Sequence, residues 1–369
     1  MTAEKLLNLL LSLSISGSVL FGIWMITRLL LKKKFSRRFH YYLLLIVLLR
    51  FVVPISPNQS LVGILFSSIE SSSIYEMIHG SKATRNPSVI IGDNVVFTDN
   101  VIIGRKQQPV ASYILYIWLA VSCSLMVQKI TKYQSFTKYI KSDWQPVDDP
   151  EIIDILSEIC EKKEITAPID IYTTSLISSP LLLGITKNYI ILPHEYLTKK
   201  QLHGIFSHEV THYQNKDIFY KWLMQIIVCL HWFNPLIYFI EKVMNQECEY
   251  ACDEATTRYF TKEERYDYGQ TLIEMASSPS QYSEKVASVT LYENNKEIKK
   301  RLEAILLYQK IKKPKRFTTL LSVTGMIVTA FILGTATTAS DVAPTDNSPV
   351  TDSETKDSSD TKPLGRPIS

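Results

Sequence analysis

The segment His208-Glu209-Val210-Thr211-His212 matches H-E-x-x-H. Residues four apart lie one turn apart on the same helix face, so both imidazoles can reach one ion. Glu209 adjoins the first histidine. From there it can take a proton from a metal-activated water and later pass it to a leaving amine, while zinc polarises a scissile carbonyl. A third ligand is needed, and Glu247, Glu249, Asp253 and Glu254 follow downstream. Glu249 and Asp253 are four apart and share a helix face. Glu249 is assigned as the third ligand, completing the His2Glu set of catalytic zinc sites, with one Zn2+ per chain. Asp253 is expected to accept the free N–H of a ligand histidine and fix its tautomer. Glu247 and Glu254 are expected to point elsewhere, into solvent. His203 and His231 read as structural, and Cys248 and Cys252 as packing residues.

These side chains need elements to position them. Thr198-Lys199-Lys200-Gln201 is a capping-box pattern, and Leu202, Ile205, Phe206 and Val210 follow at helical spacing, so H-E-x-x-H sits on a helix. The apolar run Phe219 to Ile240 is long enough to span a bilayer. A spanning helix there would strand His212 and Glu249 on opposite sides. Asn234-Pro235 offers a cap and a first helical residue instead. The expectation is a helical hairpin around residues 219–259, the second helix returning toward the first. Upstream, Ser179-Pro180-Leu181-Leu182-Leu183-Gly184 and Tyr189-Ile190-Ile191-Leu192-Pro193 read as a β-hairpin. Leu181, Leu182, Leu183 and Gly184 form either an edge that holds an extended peptide by strand addition or a buried scaffold.

The chain has 369 residues and a net charge of +4, a mild basicity that does not call for nucleic acid. Five cysteines are an odd count for a disulfide framework. Apolar stretches set apart from polar blocks are a membrane pattern. Spans are expected near Leu6–Leu31, Tyr41–Ile55, Ala111–Ile130 and Phe317–Leu333. Basic residues flank them: Lys32 to Arg38 after the first, Lys129 to Lys141 after the third, and Lys310 to Arg316 before the last. By the positive-inside rule both termini are outside and the region between the third and last spans is cytosolic. Arg50, inside the second span, is either functional or snorkels to the headgroups. The outer loop 56–112 reads as short strands between Val89 and Gly104. The tail 336–369 is too polar to bury a core and is expected to be disordered.

With these motifs in place, the sequence resembles the BlaR/MecR-type antirepressor transducers, membrane peptidases of β-lactam-resistance circuits. The features are the four-span pattern, Ser179-Pro180…Gly184…Leu192-Pro193, the H-E-x-x-H segment, Phe233-Asn234-Pro235, and Glu249-Tyr250-Ala251-Cys252-Asp253-Glu254. The resemblance covers roughly residues 1–335. It implies zinc held by His208, His212 and Glu249, with Glu209 as base. The Glu249/Asp253 pair is also similar to that of HtpX-like membrane proteases. The best-known members continue after the last span into an extracellular penicillin-binding sensor domain. Here about 30 polar residues follow, so the expectation is a member without that domain, whose stimulus is not β-lactam acylation. The resemblance further implies inactivation of a cytosolic DNA-binding repressor and self-cleavage before the last span, where Lys299 to Arg316 is the matching region.

The fold expected is a mainly α membrane protein (α+β). Residues 1–130 carry three spans, and 131–316 form a cytosolic gluzincin-like zinc metallopeptidase domain with a small β-hairpin. Residues 317–335 are the fourth span. The expected location is a bacterial cell membrane. Expected partners are membrane lipid and a protein substrate, either a winged-helix repressor or the chain itself, with an unknown inducer, homo-oligomerisation and no direct contact with nucleic acid. The competing readings are a constitutive quality-control protease and a non-catalytic receptor that keeps zinc for structure. The intact Glu209 speaks against the last, because a structural site needs no base.

Overall fold

A computed structural model of the chain describes residues 3–31, 34–55, 57, 60–70, 110–185, 187–194, 196–277, 295–307 and 316–334. The strands expected between Val89 and Gly104, the tail 336–369, and part of the Lys299–Arg316 region lie outside the described residues.

Among the described residues, three helices are long and apolar enough to cross a membrane: α1 (Ala3–Leu31), α4 (Val110–Lys141) and α11 (Arg316–Leu333). Along α4, Tyr113, Ile114, Tyr116, Ile117 and Val127 are each at least half exposed, an apolar face suited to lipid. α2 (Arg37–Val52) has 16 residues, about 24 Å at 1.5 Å per residue. It starts earlier than the sequence suggests because Ser36 caps it, accepting from Phe39 N at 3.2 Å. It also stops short of Ile55. Pro54 disfavours helical backbone at the residue before it, and Val53 is extended (ψ 113°). α2 is buried among its neighbours, with Tyr41, Leu44, Val47 and Leu48 inaccessible. Gly17 of α1 allows this packing, since a Cβ there would lie 2.7 Å from ring carbons of the buried Phe51. Arg50 does not snorkel. It is buried, donates to the Val53 carbonyl at 2.9 Å, and also donates to the Gly334 carbonyl where α11 ends.

After α3 (Leu61–Glu70) and α4 comes the sheet, in the order β1-β2-β4-β3. Its strands are β1 (Gln145–Pro146), β2 (Ile169–Thr174), β3 (Leu181–Leu183) and β4 (Asn188–Pro193). The expected hairpin is the β3–β4 pair, antiparallel with Leu182 opposite Ile190. It is one edge of a larger sheet, because β2 runs parallel to β4 from Ile169↔Asn188 to Thr174↔Pro193. Side chains alternate across β4 as the pleat requires. Ile190 and Leu192 pack with α5 (Pro150–Lys162) and α6 (Lys199–Asn215), while Ile191 packs with Phe136 and Ile140 of α4. Thus α4 continues past Ile130 and covers one sheet face.

The run 219–240 folds back. α7 (Asp217–Leu230) and α8 (Pro235–Thr257) are separate helices, and Asn234 caps the second by accepting from Leu236 N at 3.0 Å. Both join one core with α1, α2 and α11. α9 (Lys262–Ser277) and α10 (Asn295–Leu306) pack against each other and on the site helices.

Glu247 and Glu254 correct the sequence reading. Two residues at about 100° each put Glu247 on the side of α8 opposite Glu249, and that side faces α1 and α2 rather than water. Glu247 is inaccessible and pairs with Arg28, with Arg37 at 3.8 Å. Glu254 accepts the backbone N–H of Arg37, the first residue of α2. Glu247→Ala should therefore destabilise the protein by about 3 kcal/mol, the low end for breaking a buried pair, because Arg28 keeps some solvent contact. Thermal unfolding in detergent measures this, and an unchanged midpoint would contradict it.

Candidate metal centre

The capping box starts α6 as the sequence suggests: Gln201 N donates to Thr198 Oγ1, and the Gln201 side chain returns to Thr198 N at 2.8 Å. One turn apart on this helix, His208 Nε2 and His212 Nε2 face each other at 3.1 Å. Glu249 comes from α8, with Oε2 at 3.4 Å from His208 Nε2 and Oε1 at 3.7 Å from His212 Nε2.

The hydrogen bonds around the two rings define their tautomers. His212 Nδ1 is 2.7 Å from Asp217 Oδ2, and a carboxylate only accepts, so the proton is on Nδ1. The Tyr268 hydroxyl donates to Asp253 Oδ1 at 3.0 Å, leaving its oxygen to accept from His208 Nδ1, also at 3.0 Å. Asp253 itself stands 3.3 Å from that nitrogen. In its neutral form each ring therefore turns an Nε2 lone pair toward the other and toward a carboxylate. Three facing acceptors repel unless positive charge, from a metal ion or from a second proton on a ring, lies among them. Ligands about 2.0–2.1 Å from a tetrahedral zinc stand about 3.3 Å apart, close to the 3.1, 3.4 and 3.7 Å found here. The donor set fits such an ion, since all three atoms lie within 4.8 Å of one another.

The surroundings hold this arrangement. Arg301 of α10 grips Asp253 with two bonds, Nε to Oδ2 at 2.7 Å and Nη2 to Oδ1 at 2.8 Å, and its Nη1 is 3.3 Å from Glu249. Burial pushes the Asp253 carboxyl up, but Arg301 and His208 outweigh it and hold it down to about 2. Burial acts against Glu249 too, and the charge of His212 with hydrogen bonds from both histidines keeps it well below the ordinary range. Lys221 of α7 lies 3.9 Å from Glu249. Glu209 is buried beside His208, and no hydrogen bond or ion pair to its carboxylate is found among the described residues.

Asp217, Tyr268 and Arg301 were not read from the sequence. Asp217 had a local signal. Lys216 takes a left-handed backbone (φ 59°) that ends α6, and Asp217 opens α7 at once, where a helix N-terminus favours a carboxylate. Cys248 and Cys252 do more than pack on apolar neighbours. Cys252 Sγ is 3.3 Å from His212 Nδ1 and 3.4 Å from Asp217, and Cys248 Sγ is 3.8 Å from the same ring nitrogen. His231 is structural, 3.0 Å from the Phe51 carbonyl. Leu181 to Leu183 form edge strand β3, which touches α6, and Leu181 and Leu183 are buried. Gly184 ends it at φ 108°, where a Cβ would fall 1.8 Å from the Lys187 carbonyl oxygen.

The family described as BlaR1 peptidase M56 matches residues 8–305. The methicillin resistance mecR1 protein of Staphylococcus aureus is 26% identical over 325 residues, which cover 84% of this chain and 53% of that protein. The mecR1 protein of Staphylococcus epidermidis gives the same figures. The regulatory protein BlaR1 of Bacillus licheniformis is 22% identical over 298 residues, covering 79% of this chain and 49% of that protein. The chain spans about half the length of these curated relatives.

Proposed function

This chain belongs to the BlaR1 peptidase M56 family, and from that premise we propose that it is an integral-membrane zinc endopeptidase of transmembrane signalling. The observation that carries the reading is the two Nε2 atoms, 3.1 Å apart, converging with the Glu249 carboxylate. His208, His212 and Glu249 would hold the ion. When bound, zinc supplies Lewis acidity, polarising the scissile carbonyl and acidifying water. Glu209, next to the first histidine and buried, takes the proton from the attacking water and delivers it to the departing amine. Asp253 with Tyr268 fixes His208, and Asp217 fixes His212, so neither ring can turn. Edge strand β3, Leu181 to Leu183 with Gly184 at its end, receives the substrate as an added strand.

The membrane arrangement is four spans with α2 as the second. Its burial among α1, α8 and α11 and the basic segments on one side of each span support this. Both termini then lie outside, and the site faces the cytosol. The relatives named for methicillin resistance and for regulation support an antibiotic-response role. Accordingly the substrate is a cytosolic winged-helix repressor, the chain itself, or both, and nucleic acid is not contacted directly.

Asp217→Asn should lower zinc affinity about 10–100-fold, the range for loss of a ligand's outer partner. Competition with a chromophoric chelator measures it, and wild-type affinity would show that Asp217 does not orient His212. The function itself is tested by cleavage. The zinc-replete chain in detergent should cut itself or a co-expressed repressor, giving a new N-terminus that names the scissile bond. A zinc-replete chain that cuts neither contradicts the reading.

A further inference from the structure

We propose that Tyr41, on helix α2, is a positioning residue of the metal centre: its hydroxyl fixes Asp217, and Asp217 fixes His212. The inference rests on the reading of His212 as a metal ligand. The two oxygens of Asp217 have separate partners. Oδ2 accepts from His212 Nδ1 at 2.7 Å and from the Cys252 thiol at 3.4 Å. Oδ1 accepts from the Tyr41 hydroxyl at 2.7 Å, the donor to that oxygen among the described residues. A carboxylate held through one oxygen can swing, because torsion about its terminal bond is soft. A second bond at the other oxygen fixes its plane, and with it the direction in which His212 presents Nε2.

Water cannot substitute for the hydroxyl. Tyr41 is inaccessible, and Asp217 is 2% exposed. The tie between the two helices is reciprocal, since the Tyr220 hydroxyl of α7 donates to the Tyr41 carbonyl at 2.9 Å. The neighbouring Tyr42 donates to Asn215 Oδ1 at 3.1 Å, so α2 grips the α6–α7 corner on both sides of Lys216. At its other end α2 is held by Arg50, bonded to the Gly334 carbonyl just past the end of α11. Tyr41 and Arg50 are about 13.5 Å apart along the helix axis at 1.5 Å per residue. One membrane helix thus connects the end of α11 to the carboxylate behind a metal ligand.

Tyr41→Phe and Tyr220→Phe test this in the full chain in detergent. Each removes one buried hydroxyl from the same α2–α7 contact, but only the first touches Asp217. Zinc affinity by chelator competition and the visible spectrum of the Co(II)-substituted protein are the readouts. Tyr41→Phe should weaken zinc about threefold to tenfold, less than loss of Asp217 itself, and should shift the cobalt bands. Tyr220→Phe should keep both at wild-type values. Wild-type affinity and spectrum in Tyr41→Phe would overturn the proposal, and so would equal weakening in the two variants, which marks a merely structural bond. A wild-type chain that binds no zinc would fail the metal-centre reading instead, before any variant is compared.

Discussion

Glu209→Gln should abolish peptide-bond cleavage and leave the metal in place. Glutamine keeps the shape and the hydrogen-bonding reach of the side chain but cannot accept a proton at neutral pH. General-base catalysis contributes about 10²–10⁴-fold, so the variant's rate should fall by at least 100-fold. Zinc content should not change, because the three converging atoms belong to His208, His212 and Glu249. Time courses of self-cleavage or repressor cleavage, read by gel and mass spectrometry, supply the rate. Cleavage at the wild-type rate by the Gln variant would remove Glu209 from the mechanism. Signalling retained without cleavage would favour a receptor that uses zinc for structure.

Glu249→Gln should act the other way round, emptying the site while the helices stay folded. The charge of His212 and hydrogen bonds from both histidines keep Glu249 ionised against its burial, so the side chain is held as an acceptor. The amide carries no charge and is a far poorer ligand. Loss of an outer partner costs about 10–100-fold in metal affinity, and loss of a ligand should exceed the upper end of that range. Chelator competition beside thermal unfolding separates the effects. Affinity within tenfold of wild type would place the third ligand elsewhere. Arg301 and Lys221, which neutralise Glu249 from other helices, keep Asp253 and solvent as partners, so the fold should survive.

What was legible in the sequence is what depends on short separations. The two histidines and Glu209 fall within one turn and a residue of each other. The Thr198–Gln201 cap, the Asn234-Pro235 break and the β3–β4 hairpin are equally local. The site's remaining partners are not local. Tyr268 lies 60 residues from His208, Arg301 lies 48 from Asp253, and Tyr41 lies 176 from Asp217. No periodicity in the sequence brings such residues together, and only the packing of α2, α9 and α10 on the site helices does. The parallel β2–β4 pairing was missed for the same reason, since its register is set through intervening elements. Glu247 shows the opposite failure. Its helical phase relative to Glu249 was readable, but not that the far side of α8 faces α1 and its Arg28 rather than water.

The central claim is that these side chains hold zinc, and the most direct measurement is elemental analysis of wild-type protein purified in detergent without chelators. One zinc per chain is the predicted result, with the Glu249→Gln variant depleted beside it. Fresh, folded wild-type protein carrying no zinc, and taking up none when it is supplied, would contradict the account.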